Sequence, residues 1–447
     1  DLVRSRGLGD VYKRQLGFIM ATAGAAIGLG NLWKFPYLMG RNGGASFLVV
    51  YLFFICILGV PVMMLEMSLG RKTRHDPVQA YGDIHPNARI AGVFGVAAAF
   101  LILSYYSVIG GWIIKYIVSY GTTFHAPEDF EAFISAPAEP VFWHFLFLFM
   151  TTAVCYHGIS GIENVSRIMM PLLFVLLIVI IVRSVTLPDA VLGLKFIFIP
   201  SSAAFNMKAV SAALGQVFYS LSLCMGITIT YGSYLGDKEN IPRSCASVAG
   251  LDTIIAVMAG IAIFPAVFSF GLEPGQGPGL IFGTLPKVFA SIKGGSVFAI
   301  LFFALVLFAA VTSAIALLEV VVSFAVDSLK WTRKKATVIL GLLIFLTGVP
   351  SALSFGTLGN VTILNYSVFD FVGMVTDNIL LPFGGLAMCY FIGWKWNPRY
   401  LVDEVEKNGV TFKLKKLWIF CIRFLTPILV AAVTLTGFAS IYSIVRG

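Results

Sequence analysis

The chain is a succession of long apolar runs with almost no charge inside them, and this bounds what it can fold into. A helix needs roughly 20 apolar residues to cross a bilayer. Candidate spans fall at 16–38, 44–69, 90–120, 141–157, 166–184, 209–235, 245–270, 295–326, 336–350, 367–394 and 417–442. Of the 447 residues 58% are hydrophobic and only 12% charged, against about 25% charged in a soluble domain, so a soluble fold is ruled out. Runs this continuous also exclude a membrane β-barrel, whose strands alternate. The expected fold is an all-α membrane protein of about eleven transmembrane helices surrounded by the lipid bilayer.

Charge sets the expected orientation. The net charge of +9 does not point to nucleic acid, because no basic run is interleaved with aromatics on a soluble module. With the N-terminus in the cytoplasm, most of the 31 Lys and Arg fall on the inner side, among them RKTR (71–74), RKK (333–335) and KLKK (413–416). The positive-inside rule supports that orientation, and an odd number of helices then leaves the C-terminus outside. Segment 121–140 holds Glu128, Asp129, Glu131 and Glu139 and no Lys or Arg, as an outer loop. Segment 271–286 (GLEPGQGPGLIFGTLP) is too long for a simple turn; such loops often act as lids, and a solvated spacer fits nearly as well. The six cysteines, at 56, 155, 224, 245, 389 and 421, lie in or beside apolar stretches with no metal spacing and read as reduced packing residues. The first apolar segment lacks a small-residue cleavage pattern, so it is expected to remain as the first helix and insertion signal.

Two spans carry polar, Gly-rich interruptions at matching depth: GAAIGLGN (24–31) in the first and SLSLCMG (220–226) in the sixth. Glycine costs about 1 kcal/mol per position inside a helix, and unwound backbone at membrane depth survives only where it lines a cavity or is covered by protein. Close packing of small residues explains either motif alone. Both together, five helices apart, fit an inverted repeat whose site lies at the broken helices. The expected organisation is residues 1–15 as a cytoplasmic segment, 16–184 and 209–394 as two inverted five-helix repeats, and 417–442 as an eleventh helix. Ionisable residues inside spans are expensive and functional by default; here they are Lys34, Glu66, Lys115, Asp252, Glu319 and Asp370. Lys115 is close enough to a helix end to snorkel, whereas Asp252 is too deep and needs a cation or a hydrogen-bond partner.

From GAAIGLGNLWKFPY (24–37) onward the chain resembles the neurotransmitter:sodium symporter family, in particular its eleven-helix bacterial members of the leucine-transporter fold. NGGASF (42–47), EMSLGR (66–71), Tyr105–Tyr106, GQVFYSLSLCMG (215–226), FAAVTSAIAL (308–317) and VFDF (368–371) extend the resemblance over about 16–442. It implies sodium-coupled symport of an amino acid by alternating access across a bacterial cytoplasmic membrane, with two sodium ions. The implied first sodium site comprises the Ala26 carbonyl, Asn31, Ser220, Asp252 and the substrate carboxylate. The second comprises the carbonyls of Gly24, Ile27 and Ala309 with the hydroxyls of Thr312 and Ser313, although neighbouring Thr and Ser in a helix often only bond back to the previous turn.

For the substrate, the resemblance implies that the amides of Leu29 and Gly30 and the Tyr106 hydroxyl hold the carboxylate. The amine would meet carbonyls of Ala26 and helix six near Ser220 and Ser222, and the side chain would face Ala25, Ile102, Tyr219, Ser222, Met225, Ser313 and Leu317. Met and aromatic residues at such spacing are more often plain core. Lys34 and Asp370, with Gln216 nearby, are implied as the outer gate, and Tyr234 and Asp327 match inner-gate positions. The family's N-terminal Arg and Trp are absent from 1–15, so either the inner gate closes differently or this segment is not the native start, the second being favoured. Gly161 and Pro171 reproduce a Gly-x9-Pro spacing associated with unwinding of helix five and water access to the second sodium site.

A channel would need a repeated filter or charged ring, and none is visible. An enzyme is not expected either: there is no HExxH or GxSxG, no catalytic carboxylate pair is apparent, and His75, His85, His125, His144 and His157 are scattered. Ala25 stands where monoamine carriers of the family place an Asp, which argues for a zwitterionic, hydrophobic or aromatic amino acid. Met225 suits a bulky side chain, while Cys224, in place of the family's usual Gly, is expected to shrink the space. Asp252 at the family's Asn ligand position, with Ala256 one turn on, implies that transport needs no chloride. Protonated in the empty carrier, Asp252 would also let a proton leave on the return step. Oligomeric state is not legible.

Overall fold

Inside hydrocarbon every backbone amide must find a partner within protein, so a helix can break only where other helices cover it. The computed structural model describes residues 19–127, 129–201, 205–271 and 280–446 and follows that rule. Eight helices are long and apolar enough to cross a membrane: Ala45–Thr73, Pro86–Thr123, Ile159–Val185, Ile241–Ser269, Gly295–Asp327, Arg333–Leu353, Val368–Lys395 and Lys415–Ala439. The shorter Glu139–Tyr156 and two interrupted helices bring the described spans to eleven, called helix one to helix eleven below. Helix one is helical over 19–26, bends at 27 and 28, and resumes as Gly30–Lys34 and Phe35–Arg41. Helix six consists of Met207–Ser220 and Ile227–Tyr234, with 221–226 unwound between them.

Most boundaries lie within a few residues of the apolar runs. Helix five begins earlier than its run, at Ile159, because the polar Glu163, Asn164 and Arg167 interrupt the apolar pattern without interrupting the helix. The helix continues unbroken through Gly161 and Pro171, so the unwinding associated with that pair is not a feature of this conformation. Helices three and eight form the centre, with 72% of their apolar stretches buried, against 28% in helices five and eleven at the periphery.

Short elements lie between the spans. Pro77–Gly82 is capped by Asp76, which accepts from the Val78 amide at 2.8 Å. Phe130–Ser135, Ala190–Phe198, Leu285–Ala290 and Arg399–Val405 are further short helices, and Thr362–Ile363 pairs with Tyr366–Ser367 as a small hairpin. In the 271–286 loop, residues 272–279 lie outside the described residues, as do residues 1–15 and Glu128. The described remainder is packed rather than solvated: Phe282 sits edge-on to Trp33 and Trp112, and the Tyr116 hydroxyl donates to its carbonyl at 2.6 Å. Lys115 does more than snorkel, since its ammonium lies 2.5 Å from Glu139 at the start of helix four. All six cysteines are free; five are buried as expected, but Cys56 is exposed on the outer surface of helix two and packs nothing in the core.

Candidate functional site

The two breaks face each other across helices three and eight. In helix one the backbone bends at Gly28, where a Cβ would stand 2.3 Å from the Ser313 Oγ, so no larger residue fits against helix eight at that point. In helix six, Ser222 and Cys224 adopt φ of 53° and 61°, in the left-handed region that costs an L-residue about 1–2 kcal/mol. Glu66 offsets part of this cost: one carboxylate oxygen accepts the Cys224 amide at 3.1 Å, and the other accepts the Thr228 hydroxyl. The intramembrane charge of helix two thus supplies partners to backbone freed in helix six.

Between the breaks lies a small cavity of about 30 Å³, lined by Ala25, Ala26, Gly28, Leu29, Gly30, Ile102, Tyr106, Tyr219, Ser222, Met225, Ile227, Ser313 and Leu317. The expected substrate positions are therefore brought together with two exceptions. Ser220 is buried on the far side of the helix-six break and does not line the cavity. Cys224, expected to narrow the space, instead turns its sulfur towards Gly385 of helix ten, 3.2 Å from that residue's Cβ direction. The sequence reading omitted Gly28 and Ile227, although both flank residues it named. At one end of the cavity the Leu29 amide donates to the Tyr106 hydroxyl at 3.3 Å, which leaves the phenol proton able to serve another acceptor. Ser222 and Ser313 both donate to the Ala25 carbonyl, at 3.3 and 3.1 Å.

Beside the cavity, Asn31, Ser220 and Asp252 form one buried cluster. The Asn31 amide nitrogen lies 2.7 Å from Asp252 Oδ1, 3.1 Å from the Asp252 carbonyl and 3.3 Å from Ser220 Oγ. Three oxygens thus converge on one donor, while the Asn31 side-chain oxygen accepts from the Gly28 amide at 3.2 Å. The other carboxylate oxygen accepts from Ser220 at 2.8 Å and from Tyr51 at 3.2 Å; Tyr51 was not singled out in the sequence. Among the described residues no group of three or more His, Cys, Asp or Glu is placed to hold a metal. On the opposite side of helix one, Ser313 Oγ lies 3.4 Å from the Gly24 carbonyl, and Thr312 donates back to Phe308 and Ala309 at 3.0 and 3.1 Å. Gly24, Ala309, Thr312 and Ser313 therefore converge, with Ile27 at the adjoining bend.

The residues expected to close the cavity are arranged differently. Lys34 does not meet Asp370. It pairs with Asp377 at 3.2 Å and lies 3.9 Å from the centre of the Tyr219 ring, while Asp370 accepts from Ser367 at 2.7 Å at the start of helix ten. Asp377 lies seven residues on, two turns deeper along nearly the same face, and therefore reaches Lys34. Gln216 donates to the Gly30 carbonyl at 3.0 Å. At the other end, Tyr234 and Asp327 are apart: Tyr234 donates to Glu319 at 2.6 Å, Glu319 pairs with Arg333, and Asp327 accepts the Asp76 amide at 2.9 Å.

A profile of the Sodium:neurotransmitter symporter family matches residues 9–127 and 134–445. The uncharacterized sodium-dependent transporter YhdH of Bacillus subtilis is 39% identical over 95% of this chain and 96% of its own. Human sodium- and chloride-dependent GABA transporter 2 is 25% identical over 93% of this chain and 78% of its own. The crystal structure of MhsT in complex with L-phenylalanine superposes with a TM-score of 0.87 at 44% identity, covering 95% of this chain and 98% of that one. The chain belongs to the sodium:neurotransmitter symporter family. It is a sodium-dependent membrane transporter with the leucine-transporter fold, and not an enzyme.

Proposed function

We propose that the protein couples the inward flow of sodium to uptake of a zwitterionic, hydrophobic or aromatic amino acid, without a requirement for chloride. The observation that carries the substrate class is the cavity end formed by the Leu29 amide and the Tyr106 hydroxyl. The Leu29 amide stands at the start of the second half of helix one, where the helix dipole favours an anion, and the Tyr106 hydroxyl of helix three lies against it. Ala25 adds no negative charge to the wall, so an amine lacking a carboxylate has no counter-ion there. The cavity of about 30 Å³ is smaller than an aromatic side chain; Met225 and Leu317 are the walls that yield, a thioether and an isobutyl group being readily repacked. The complex of MhsT with L-phenylalanine agrees with this class.

Two sodium sites complete the reading. Asn31, Ser220, Asp252, the Ala26 carbonyl and the substrate carboxylate hold the first; Gly24, Ile27, Ala309, Thr312 and Ser313 hold the second. Because the carboxylate is a ligand of the first ion, each raises the other's affinity reciprocally. The second oxygen of Asp252, held by Ser220 and Tyr51, keeps a negative charge beside the ion where a mobile anion is otherwise needed. The Lys34 end faces outward and the Asp327 end the cytoplasm, with residues 16–184 and 209–394 as the two repeats. The deciding experiment is uptake of the twenty amino acids into proteoliposomes, with sodium against choline and chloride against gluconate. Sodium-driven uptake of hydrophobic or aromatic amino acids that continues in gluconate is expected. The Asp252→Asn variant should stop in gluconate and recover partly in chloride. Uptake that prefers serotonin or dopamine, or that stops in gluconate, refutes the corresponding part.

A further inference from the structure

The cavity between the broken helices has a polar end and an aliphatic one. The Leu29 amide and the Tyr106 hydroxyl mark the first. Among the other lining residues, Ile102 stands one turn before Tyr106 on helix three, and Leu317 one turn after Ser313 on helix eight. Helix eight ends at Asp327, and helix three follows the Asp76 segment bonded to it, so in both helices the aliphatic residue is the one nearer the Asp327 end. Ile227 joins them there. It is the first residue of the second half of helix six, which runs on to Tyr234 and its bond with Glu319. Three buried aliphatic side chains from three helices thus form a floor, and Ile227 is the one to which the family resemblance gives no role.

Ile227 is held on both sides in a way that its neighbours in the wall are not. Directly before it, Gly226 has a φ of 75°, and a Cβ built there would stand 2.8 Å from Pro77 Cγ and 3.1 Å from Val320 Cγ1. That turn of backbone is therefore enclosed by the Pro77–Gly82 helix and helix eight. Directly after it, the Thr228 hydroxyl donates to Glu66. The side chain is stiff as well, because a β-branched residue at a helical position has one strongly preferred rotamer. Met225 differs on each count. It lies in the unwound 221–226 segment between two residues of positive φ, Cys224 and Gly226, and its unbranched side chain has three rotatable bonds. The cavity can thus broaden at Met225, whereas its depth at Ile227 is fixed.

Resting on the amino-acid reading above, we propose that Ile227 is a specificity-determining residue, the rigid floor that fixes how long an apolar side chain the carrier accepts. The test is heat denaturation of the purified protein in detergent and sodium chloride, titrated with L-leucine, L-phenylalanine and L-tryptophan. Ile227→Ala lowers the floor, so L-tryptophan should bind more tightly and L-leucine, which then leaves a void, more weakly. The ratio of their half-saturating concentrations should shift by about tenfold or more in favour of L-tryptophan, with L-phenylalanine between them. Ile227→Val, a smaller truncation that keeps the β-branch, should shift the ratio the same way by a smaller factor. Ile229→Ala alters a residue that is equally buried two positions on but does not line this cavity. It should lower the denaturation midpoint and leave the ratio unmoved, which separates selection of substrate from packing of helix six. A ratio unchanged in both Ile227 variants, or moved as far by Ile229→Ala, overturns the floor alone. If none of the three amino acids stabilises the parent in sodium, the amino-acid reading fails and the floor with it.

Discussion

The two ends of the central cavity are closed by different means. At the Lys34 end the ion pair of Lys34 with Asp377 is about one-third exposed on both sides and borders a cavity of about 670 Å³ that also reaches Gln216, Tyr219 and helix eleven. At the Asp327 end the bonds are many, mostly half-buried around the buried Glu319, and spread over several helices. Tyr234 and Arg333 both hold Glu319, Arg333 also reaches the Cys155 carbonyl, and Asp76, Gln79 and Ser328 engage one another and Asp327. Nearby, Arg71 binds Glu404 at 2.6 Å and the Glu239 carbonyl at 2.7 Å. An exposed pair contributes about 0–1 kcal/mol, whereas breaking a buried one by removing a single partner costs about 3–5 kcal/mol. Opening this conformation at the Lys34 end is therefore the cheaper motion.

The largest effect should come from breaking the buried end. Arg333→Met leaves Glu319, which is fully buried, without its counter-charge. Because Arg333 itself is partly exposed, the loss is expected near the lower end of about 3–5 kcal/mol, read as a lowered midpoint of heat denaturation. Adding Glu319→Gln should restore part of it, since no uncompensated charge remains; a double variant no better than Arg333→Met would show that the pair is not what holds this end. Tyr106→Phe acts on the cavity itself and should weaken sodium-dependent binding of L-phenylalanine by roughly 1.5–3 kcal/mol, with stability in choline unchanged. Unaltered binding would remove the carboxylate from this position.

A smaller effect concerns pH. Burial holds the Asp76 carboxyl above its ordinary value of 3.8, only partly offset by hydrogen bonds from Ser328, Val78 and Gln79, with Asp327 nearby adding to the rise. A carboxyl raised in the folded state binds its proton more tightly there than when unfolded. Its contribution to stability is therefore present at low pH, falls as pH rises from 3.8 through the raised value, and is flat above it. Asp76→Asn, which still caps Pro77–Gly82, should flatten that slope in heat denaturation followed between these pH values. An unchanged slope would place the titration elsewhere.

The contrast between the two ends also marks what the sequence could reveal. Helices, their number and the two breaks were legible because hydrocarbon forbids unpaired backbone: close packing explains the glycines at 24, 28 and 30 or the run 220–226 alone, but the pair at matching depth points to broken helices. Asp252 was legible as a charge too deep to be left alone, and the resemblance joined Asn31 and Ser220 to it. Pairings were not, since a charge announces only that it needs a partner. Glu319 and the RKK run both stood out in the sequence, yet only the turn between helices eight and nine joins Glu319 to Arg333. Cys224 was expected to narrow the substrate space because it replaces the family's usual Gly; the left-handed backbone at 222 and 224 turns it to helix ten instead. Asp370 was chosen for the gate by resemblance, and the helical repeat that carries the face to Asp377 was overlooked.

The smallest effect tests the weaker end and that last correction together. Asp377→Asn removes one charge of a pair that is about one-third exposed, so closure should weaken by roughly 0.2–1 kcal/mol. Lys34 keeps its place over the Tyr219 ring, an interaction of about 0.5–1 kcal/mol. Bound L-phenylalanine should therefore leave the detergent-solubilised variant only a few-fold faster than the parent. In the parent, raising choline chloride at fixed sodium should speed dissociation by screening the pair, and in Asp377→Asn that dependence should be much reduced. Asp370→Asn should match the parent in both respects, because the bonds of Asp370 among the described residues are with Ser367 of its own helix start. Faster, salt-insensitive dissociation from Asp370→Asn, with Asp377→Asn unchanged, would return the gate to Asp370 and leave the Lys34 end closed by a contact made only in another conformation.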